Sequence, residues 1–528
     1  MRYTIDEQAR YDHSALWQLH NTYYARQGLA AWRSIPYLAT SNYAAAHQHA
    51  RLLLALAETH HPTGEVAVLE VGSGAGRFAG NLLTALLKDC GPAGRRLAER
   101  LRYVLSDFAP KVVQEAIAQP WLADHVAAGR VVPALMDLDQ PGSLQRLDGE
   151  PLSTPIALVI ANYVACVCRT RQFRTAGAWE ELHLGLHMEV EPWLCSTLSR
   201  ERALALCAQQ LANPEFLTSL DIEPIWVPLP HPLAAALGDP RHAQLLELAV
   251  EGQARATLSY PVTFMNLLLR LRAHVQQAPC PVLVTDFGSV DVRQQEGIHD
   301  AQLQTYGNSL NHGVFFTLFD GLPRVADLDL LRTRDPLCST HVALIGRPEQ
   351  LSQPIRDTFQ RLYIDAFPSM DRVDFEDAAL ALQRGGNHAG RARFVQRCVR
   401  LDPWNPTLHL LLAAACTDAG EPDAALDAIA RGRALQTPDD DLDFDAQEAR
   451  ALARKRDDRA LALFERALDA NPHPDTWRAL ASFHAQRRDF KNAYKALHAA
   501  LDLRPGDDDI LAELADLKEL WWQDATSD

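Results

Sequence analysis

The residues best suited to chemistry are three alternating glycines, Gly72, Gly74 and Gly76. They follow the almost wholly apolar run 66–71, which has the pattern of a strand buried on both faces. Residues 81–87 then have the pattern of a helix. A buried strand that passes through glycines into a helix turns sharply, brings backbone N–H groups close to a ligand and points a helix N-terminus at it. The stretch therefore predicts a nucleotide-type pocket.

The spacing of the glycines narrows the kind of nucleotide. A dinucleotide fingerprint has its third glycine three positions after the second, whereas Gly76 comes sooner after Gly74 and is followed by Arg77. Glu70 lies just before the first glycine, at the end of the strand. An acid followed by GxGxG resembles motif I of class I S-adenosylmethionine (SAM) methyltransferases, so SAM is the predicted cofactor. The alternative is a tight strand-to-helix turn that binds no ligand.

Three further polar side chains follow predicted strands. Asp107 follows the second strand, where a carboxylate can accept a hydrogen bond from each ribose hydroxyl. Asp137 follows the third, where it could accept from the adenine amine, and Asn162 follows the fourth, at the crevice where a methyl acceptor would lie. Taken singly, each is an ordinary loop carboxylate or Asx-turn. Together with Glu70 they predict one SAM site at the carboxyl ends of the strands.

Five segments occur in a fixed order within residues 36–320: Glu70 to Gly76; Asp107-Phe108-Ala109-Pro110; Ala161-Asn162-Tyr163; Asp286-Phe287-Gly288; and Leu303 to Tyr306 followed by Leu310 to Phe315. In this order they resemble the motifs of the MidA-like SAM-dependent methyltransferases, a family that includes the mitochondrial arginine methyltransferase of complex I assembly. The resemblance implies a Rossmann-like class I methyltransferase fold, SAM as cofactor, and methylation of a protein or peptide, with arginine as a candidate acceptor.

The chain departs from that family after the fourth predicted strand. Family members have Glu after the Asn and an Asp soon beyond, whereas this chain has Tyr163 and Ala165. Acids that would orient a guanidinium are therefore missing, while the SAM half of the pattern is intact. Two alternatives stay open beside protein methylation: a small-molecule methyltransferase, and a SAM-binding scaffold with reduced catalysis.

Methyl transfer depends mainly on how the protein positions the acceptor relative to the methyl group, because the sulfonium itself supplies the leaving group. The catalytic candidates are Asn162, Asp286 and His312. His312 is a candidate proton acceptor, since an unperturbed histidine titrates near neutrality. The other interpretation of His312 is a structural histidine in the core. Glu189 and Glu191 are a further candidate pair for clamping a basic side chain, although two solvated loop glutamates are the simpler interpretation.

Composition narrows the classes of partner and compartment. A net charge of -16 argues against a nucleic-acid partner and mildly favours basic proteins or peptides. The polar opening and the absence of an apolar run long enough to span a bilayer predict a cytoplasmic chain with no membrane partner. Among nine cysteines only Cys166 and Cys168 are close, as CxC and not CxxC. We therefore predict reduced thiols and no metal site.

The 528 residues suggest about three domains. We predict a helical segment at 1–60, a methyltransferase domain at 61–350 with a helical insertion at about 170–277, a linker at 351–373 and tetratricopeptide repeats at 374–528. The methyltransferase domain alternates strand-like and helical runs, which is typical of a doubly wound parallel sheet. Its predicted strands are 66–71, 103–105, 131–135, 156–160 and 282–285. Residues 243–272 have a helical pattern broken at Pro261.

The repeats are predicted from prolines at a regular interval. Pro403, Pro438, Pro472 and Pro505 are 35, 34 and 33 residues apart, close to the 34-residue tetratricopeptide period. Two units match its packing positions: Ala460, Phe464 and Ala467 in one, and Trp477, Leu480, Ala481, Ala493 and Ala500 in the next. Helix 509–522 would be a cap. The repeats predict a protein or peptide partner, or alternatively a homodimer. Acidic residues within 439–445 and 507–509 would favour a basic partner segment, unless they are solvated loops.

Overall fold

The computed structural model describes residues 1–34, 41–175, 178–230, 233–251, 256–291, 300–336, 338–365, 379–401, 403, 405–436 and 442–526. The chain divides into two compact units, Met1–Arg372 and Val373–Asp528, which are described separately below.

The described strands all lie in the first unit: β1 (Arg2–Arg10), β2 (Val66–Val71), β3 (Leu101–Asp107), β4 (Val131–Leu135), β5 (Gln145–Arg146), β6 (Ile156–Asn162), β7 (Arg171–Thr175), β8 (Trp179–Glu189), β9 (Asp221–Pro228), β10 (Ala256–Tyr260), β11 (Val282–Ser289), β12 (Gln304–Tyr306), β13 (Ser309–Asn311), β14 (Val314–Phe315), β15 (Asp329–Arg332) and β16 (Thr340–Gly346). The larger sheet has the order β15-β16-β11-β6-β2-β3-β4-β5, and β14 pairs with β11. β12 and β13 form a separate hairpin.

The larger sheet is doubly wound. β2, β3, β4, β6 and β11 run parallel, while β16 is antiparallel to β11. Along the chain, β3 and β4 are added on one side of β2, and β6 and β11 are then added on its other side. The direction in which strands are added therefore reverses between β2 and β6. Ligands of such sheets bind outside the carboxyl ends of the strands at this reversal. The predicted Rossmann-like α/β class is confirmed, and all five predicted strands are present.

The α-helices of the first unit are α1 (Ala15–Gln27), α2 (Tyr43–His60), α3 (Arg77–Lys88), α4 (Gly91–Arg100), α5 (Pro110–Ile117), α6 (Pro120–Ala127), α7 (Pro192–Cys195), α8 (Arg200–Gln210), α9 (Phe216–Ser219), α10 (Ala234–Leu237), α11 (Pro240–Ala249), α12 (Val262–Leu269), α13 (Leu271–Val275), α14 (Thr317–Asp320), α15 (Leu322–Val325) and α16 (Gln353–Phe359). Short 3₁₀ segments occur at Tyr11–His13 and Gly28–Ser34. All six residues of β2 are buried, as expected for a central parallel strand covered on both faces.

A second sheet joins the N-terminus to the insertion. Its strand order is β1-β8-β7-β10, and β9 also pairs with β8. β1 runs antiparallel to β8. The predicted helical segment 1–60 therefore needs correction, because its first residues form a strand. The insertion is likewise mixed, with β7–β10 beside α7–α13. In β8, Leu182, Leu184 and Leu186 alternate with more polar residues and are buried, which is the period of a strand with one covered face.

The predicted linker 351–373 also needs correction at its start. α16 and the π-helical turn Gln360–Ile364 belong to the first unit. The Gln48 side chain of α2 donates to the Leu362 carbonyl over 2.9 Å, and the Tyr363 hydroxyl lies 3.1 Å from His49 Nδ1. The other nitrogen of His49 lies 2.9 Å from the Thr285 hydroxyl on β11. Buried hydrogen bonds thus tie this segment to the larger sheet.

The second unit is all helical, with α17 (His388–Leu401), α18 (Pro406–Asp418), α19 (Pro422–Leu435), α20 (Phe444–Arg454), α21 (Arg459–Ala470), α22 (Pro474–Gln486), α23 (Phe490–Leu503) and α24 (Asp508–Thr526). The predicted packing residues Ala460, Phe464, Ala467, Leu480, Ala481, Ala493 and Ala500 are buried. Pro438 and Asp439 to Asp441 lie outside the described residues. Of the predicted acidic run, Asp443 caps α20 and Asp445 is paired with Arg433 and Arg466, so these two carboxylates stabilise the repeats themselves.

Across the described part of the chain, none of the helices combines the length and the apolar character that crossing a bilayer requires.

Candidate active site

The glycine loop between β2 and α3 depends on glycine for two reasons. Gly72, Gly74 and Gly76 have φ angles of 64°, 50° and 65°, in the left-handed region that residues with a Cβ disfavour. A Cβ at Gly74 would also come within 2.8 Å of the Trp32 ring, and one at Gly76 within 2.6 Å of Leu122. The loop is therefore held in one conformation by its own backbone and by the side chains packed on it.

Asp107 lies against this loop, as the sequence predicts for a ribose ligand. It is 4% exposed, and its carboxylate accepts a hydrogen bond from the backbone N–H of Ala109 over 3.1 Å. The backbone of Gly74 donates to it as well. Burial raises the pKa of Asp107 to about 6, although the hydrogen bonds from backbone N–H groups act in the opposite direction. The fold thus brings the second-strand acid and the glycine loop together, although they are distant in sequence.

Glu70 is buried beneath the loop rather than presented at its surface. Its carboxylate accepts a 3.0 Å hydrogen bond from the Tyr103 hydroxyl, and its carbonyl accepts one of 2.6 Å from Ser106 Oγ. Burial, with a smaller contribution from Asp107, raises the pKa of Glu70 to about 8. The side chain is therefore largely protonated at neutral pH.

This raised pKa predicts a pH-dependent stability difference for Glu70→Gln. Between about pH 4.5 and 8 the folded parent holds a proton that the unfolded chain releases, so the parent loses stability as pH rises through this window. Glutamine cannot ionise, so the variant is expected to gain in unfolding free energy relative to the parent from pH 5 to pH 8. Urea unfolding at each pH measures the difference. Glu150→Gln, in an exposed loop, is the control, and equal pH profiles for parent and Glu70→Gln would contradict the prediction.

Asp137 forms a turn with its own loop. Its carboxylate accepts hydrogen bonds from the Asp139 N–H over 2.9 Å and from Gln140 Nε2 over 2.7 Å. These hydrogen bonds are those of an Asx-turn, which is the other interpretation of this residue from the sequence. Each oxygen retains capacity for a further bond, so the adenine assignment stays a prediction.

Asn162 lies at the end of β6, beside the point where the strand order reverses. It pairs in register with Thr285 of β11, and the preceding residue pairs with Val71 immediately before the glycine loop. Both amide atoms of Asn162, Oδ1 and Nδ2, are buried without a hydrogen-bond partner among the described residues. In the loop itself, the Ser73 hydroxyl is buried and unpartnered in the same way. Buried polar atoms normally find partners, so these atoms retain the capacity to bond a ligand or a water molecule.

The residue after Asn162 has a strained backbone. Tyr163 has a φ of 52°, in the left-handed region, while its N–H donates to the Thr285 carbonyl over 2.9 Å. Its ring contacts the edge of Phe287, with ring centroids 5.9 Å apart. Such strain persists where the surroundings fix the conformation, and it occurs most often at functional sites. Tyr163 thus turns the chain sharply at the end of β6.

Asp286 organises the loop that follows Asn162. It is fully buried and accepts hydrogen bonds from the N–H groups of Cys166 over 3.1 Å and Phe287 over 2.9 Å. Burial raises its pKa to about 7. Because these bonds hold the chain around Cys166, the geometry gives Asp286 a positioning role.

His312 lies in the aromatic core of the N-terminal segment. It is 3% exposed, and its Nε2 is 2.8 Å from the Tyr11 hydroxyl. Trp17 packs beside it, with ring centroids 5.9 Å apart. Burial lowers the pKa of His312 to about 4, so the ring is neutral at pH 7. These contacts are those of the structural histidine that the sequence left as the alternative.

Residues that the sequence did not single out cover the glycine loop. Trp32 packs on Gly74, and Tyr24 lies next to Trp32, with ring centroids 5.1 Å apart. Phe108 follows Asp107, is 37% exposed and approaches Tyr24 at 6.3 Å. No local pattern reveals this aromatic layer, because it joins residues that are far apart in the chain.

A cavity of about 470 Å³ opens beside Phe108, along the polar face of α1. Gln18, Asn21, Arg169 and Arg200 contribute to its wall. Both arginines are already engaged, since Arg169 contacts Asp139 and Arg200 contacts Asp6. Neither arginine therefore brings an unpaired charge to the wall of the cavity.

The remaining candidates do not join this site. Glu189 ends β8, is largely exposed and pairs with the N-terminal ammonium of Met1 over 3.3 Å. Glu191 is exposed in the following turn. Cys166 and Cys168 are free thiols, and the described residues contain no cluster of side chains suited to hold a metal ion.

Comparison with known proteins identifies the repeats. Residues 474–517 match the tetratricopeptide repeat family model. The match covers α22, α23 and the first half of α24. A tetratricopeptide protein of known structure, YrrB, is similar at 19% identity over 30% of this chain and 79% of its own, with a TM-score of 0.22.

The first unit has similar solved structures at low identity. A COG1565 superfamily member from Burkholderia thailandensis bound to S-adenosyl-homocysteine is 14% identical, over 67% of this chain and 91% of that one, with a TM-score of 0.43. A native structure of a COG1565 superfamily protein from the same organism is 15% identical, over 69% and 85%, with a TM-score of 0.38. No curated protein matches the chain.

Proposed function

We propose that the first unit is a SAM-dependent methyltransferase acting on a protein or peptide, and that the repeats recruit that substrate or an assembly partner. The proposal rests on the positions of three features in the larger sheet. Asp107 bonds the glycine loop, and Asn162, whose amide is buried and unpartnered among the described residues, lies beside the strand that leads into the loop, at the reversal of a doubly wound sheet. A turn that served structure alone would not require a buried amide without a hydrogen-bond partner.

The residues present fit SAM. Asp107 retains lone pairs for the ribose hydroxyls, and the three glycines let the loop backbone approach a ligand closely. The Ser73 hydroxyl has no partner among the described residues and could bond a polar group of the cofactor. Glu70 would support the loop from below, and Asp137 would accept from adenine. When bound, SAM supplies an activated methyl group on a sulfonium.

The chain's own contribution is orientation. Asn162 Oδ1 can accept a hydrogen bond from an N–H of the acceptor and so fix the direction of its lone pair. Asp286 fixes the loop that follows Asn162. An arginine acceptor remains within the proposal, but Tyr163 and Ala165 provide no carboxylate for its guanidinium. The amide of Asn162 would take that orienting role.

Incubation with methyl-labelled SAM and a proteome extract tests the proposal. Label in protein, incorporated far more slowly with Asn162→Ala, is the expected result. Label confined to small molecules would favour the alternative enzyme, with the repeats serving assembly. SAM binding without transfer to any fraction would favour the scaffold. Failure to bind SAM would remove the proposal.

Asp107→Ala is expected to weaken SAM binding by about 1.5 to 3 kcal/mol, the scale of hydrogen bonds to a charged group. Titration calorimetry measures the loss. Asp107→Asn keeps the size of the side chain and one acceptor oxygen, so its affinity should lie between those of the alanine variant and the parent. Equal affinity for alanine variant and parent would remove the ribose assignment.

A further inference from the structure

The last helix of the repeats has an apolar face without a cover. Leu511, Ala515 and Trp522 lie one above another on α24, at the i, i+4 and i+11 positions of one helical face. Leu511 is 45% exposed and Trp522 72% exposed, and Ala515 is exposed as well. We call these three residues the α24 stripe. Exposed apolar side chains aligned on one helical face are a feature of surfaces that bind a partner.

The preceding repeat shows what covers such a face. Leu511 and Ala515 follow Trp477 and Ala481 by one 34-residue period. In α22, Ala481 is 3% exposed and Trp477 is partly buried, within the cluster that contains Ala493, Leu497 and Ala500 of α23. Leu511 and Ala515 of the α24 stripe thus repeat packing positions of a first repeat helix, and Trp522 extends the same face by two turns. None of the helices among the described residues supplies the second helix that would cover it.

The charges around the stripe indicate the chemistry of its occupant. Asp508 and Glu519 lie one turn from Leu511 and Ala515 on the same helix, and neither forms an ion pair among the described residues. Lys518, the lone base of α24, lies back over the ring of Tyr494 at 5.6 Å. The edge of the stripe is therefore acidic and open to a basic partner.

We propose that the α24 stripe docks an amphipathic basic helix of a partner protein, packed as α23 packs on α22. The partner helix presents a small, a large and a small apolar residue at the spacing of Ala493, Leu497 and Ala500, and basic residues that face Asp508 and Glu519. α23 is itself a template, since Lys491 and Lys495 flank its apolar face and are exposed. Helix-in-groove recognition of this kind reads anchors three to four residues apart.

The docking of a partner helix deepens the proposed recruiting role of the repeats and does not depend on methyl transfer, so the test uses no SAM. The probe is a fluorescent peptide with the sequence of residues 490–503, added to the full-length chain. We expect saturable binding that weakens at high salt and falls at least tenfold in Leu511→Ser and Trp522→Ser. The matched control is Trp193→Ser, which removes an equally exposed tryptophan from the first unit. A peptide with Lys491 and Lys495 changed to Glu should bind less.

Three outcomes would overturn the docking proposal. The first is no saturable binding by the parent chain. The second is binding that survives both stripe substitutions, which would leave the repeats as a recognition domain with its contact elsewhere. The third is a dimer, measured by sedimentation, that Trp522→Ser dissociates while the peptide fails to bind. That result would make the stripe an interface between two copies of the chain. Melting curves for each variant confirm that the repeats stay folded.

Discussion

Gly74→Ala is expected to weaken SAM binding by about 100-fold, or about 2.8 kcal/mol. The left-handed backbone at this position costs alanine about 1 to 2 kcal/mol. Its methyl group would also meet the Trp32 ring at 2.8 Å, so the loop or the indole must move. Either movement would displace the N–H group of Gly74 that binds Asp107 and the backbone proposed to approach the ligand. Titration calorimetry measures the effect.

Gly91→Ala is the matched control for this loss. Gly91 has a φ of 65° at the start of α4, but nothing lies within 4 Å of the position of an added Cβ. Its substitution should therefore carry the backbone cost and leave SAM affinity intact. Adding Trp32→Ala to Gly74→Ala removes the contact and should restore part of the affinity. Wild-type affinity in the Gly74→Ala single variant would show that the loop does not touch the cofactor.

Asn162→Ala is expected to lower turnover by about 100-fold, similar to the loss of one oriented hydrogen bond in other active sites. Stability should be unchanged or slightly higher, because the amide has no protein partner to leave behind. SAM affinity should remain close to that of the parent, since the proposed contact is with the acceptor. Single-turnover label transfer, calorimetry and thermal melting separate the three quantities.

His312→Ala provides the contrast. It would leave the buried hydroxyl of Tyr11 unpaired, at a cost of about 1 to 3 kcal/mol, and so should lower the melting temperature first. If Asn162→Ala behaved in this way instead, losing stability and SAM binding together, Asn162 would be a core residue and the acceptor side would have no assigned group.

The parts of the fold that the sequence predicted are those with strong local patterns. β2 is an apolar run followed by glycines, and the structure places it at the centre of the sheet with its bounds unchanged. The insertion strands were missed although β8 carries a signal, the alternation of Leu182, Leu184 and Leu186. The polar sequence around them favoured no element. β10 was assigned to a helix, because a short apolar stretch before Pro261 fits either period.

The candidate site was predictable where it follows from topology and not where it follows from packing. The carboxyl ends of parallel strands meet at one edge, so strand order alone places Asp107 and Asn162 at that edge. Two other contacts join segments that are far apart in the chain and share no helix or strand. They are the contact of Trp32 with Gly74 and the hydrogen bond between His312 and Tyr11, and nothing in the local sequence indicates either. Nor does residue type reveal that the Asn162 amide lacks a partner.

The pairing of β1 with β8 has a consequence during synthesis. Arg2 is opposite Glu189, so β1 cannot pair with β8 until a further stretch of almost 190 residues has been translated. At about 5 to 20 residues per second, this leaves the strand with unpaired backbone groups for roughly 10 to 40 seconds. The hydrogen bond between Tyr11 and His312 can form only later still. β1 is thus secured only long after its own synthesis, and its unpaired edge is a segment that chaperones could protect in the meantime.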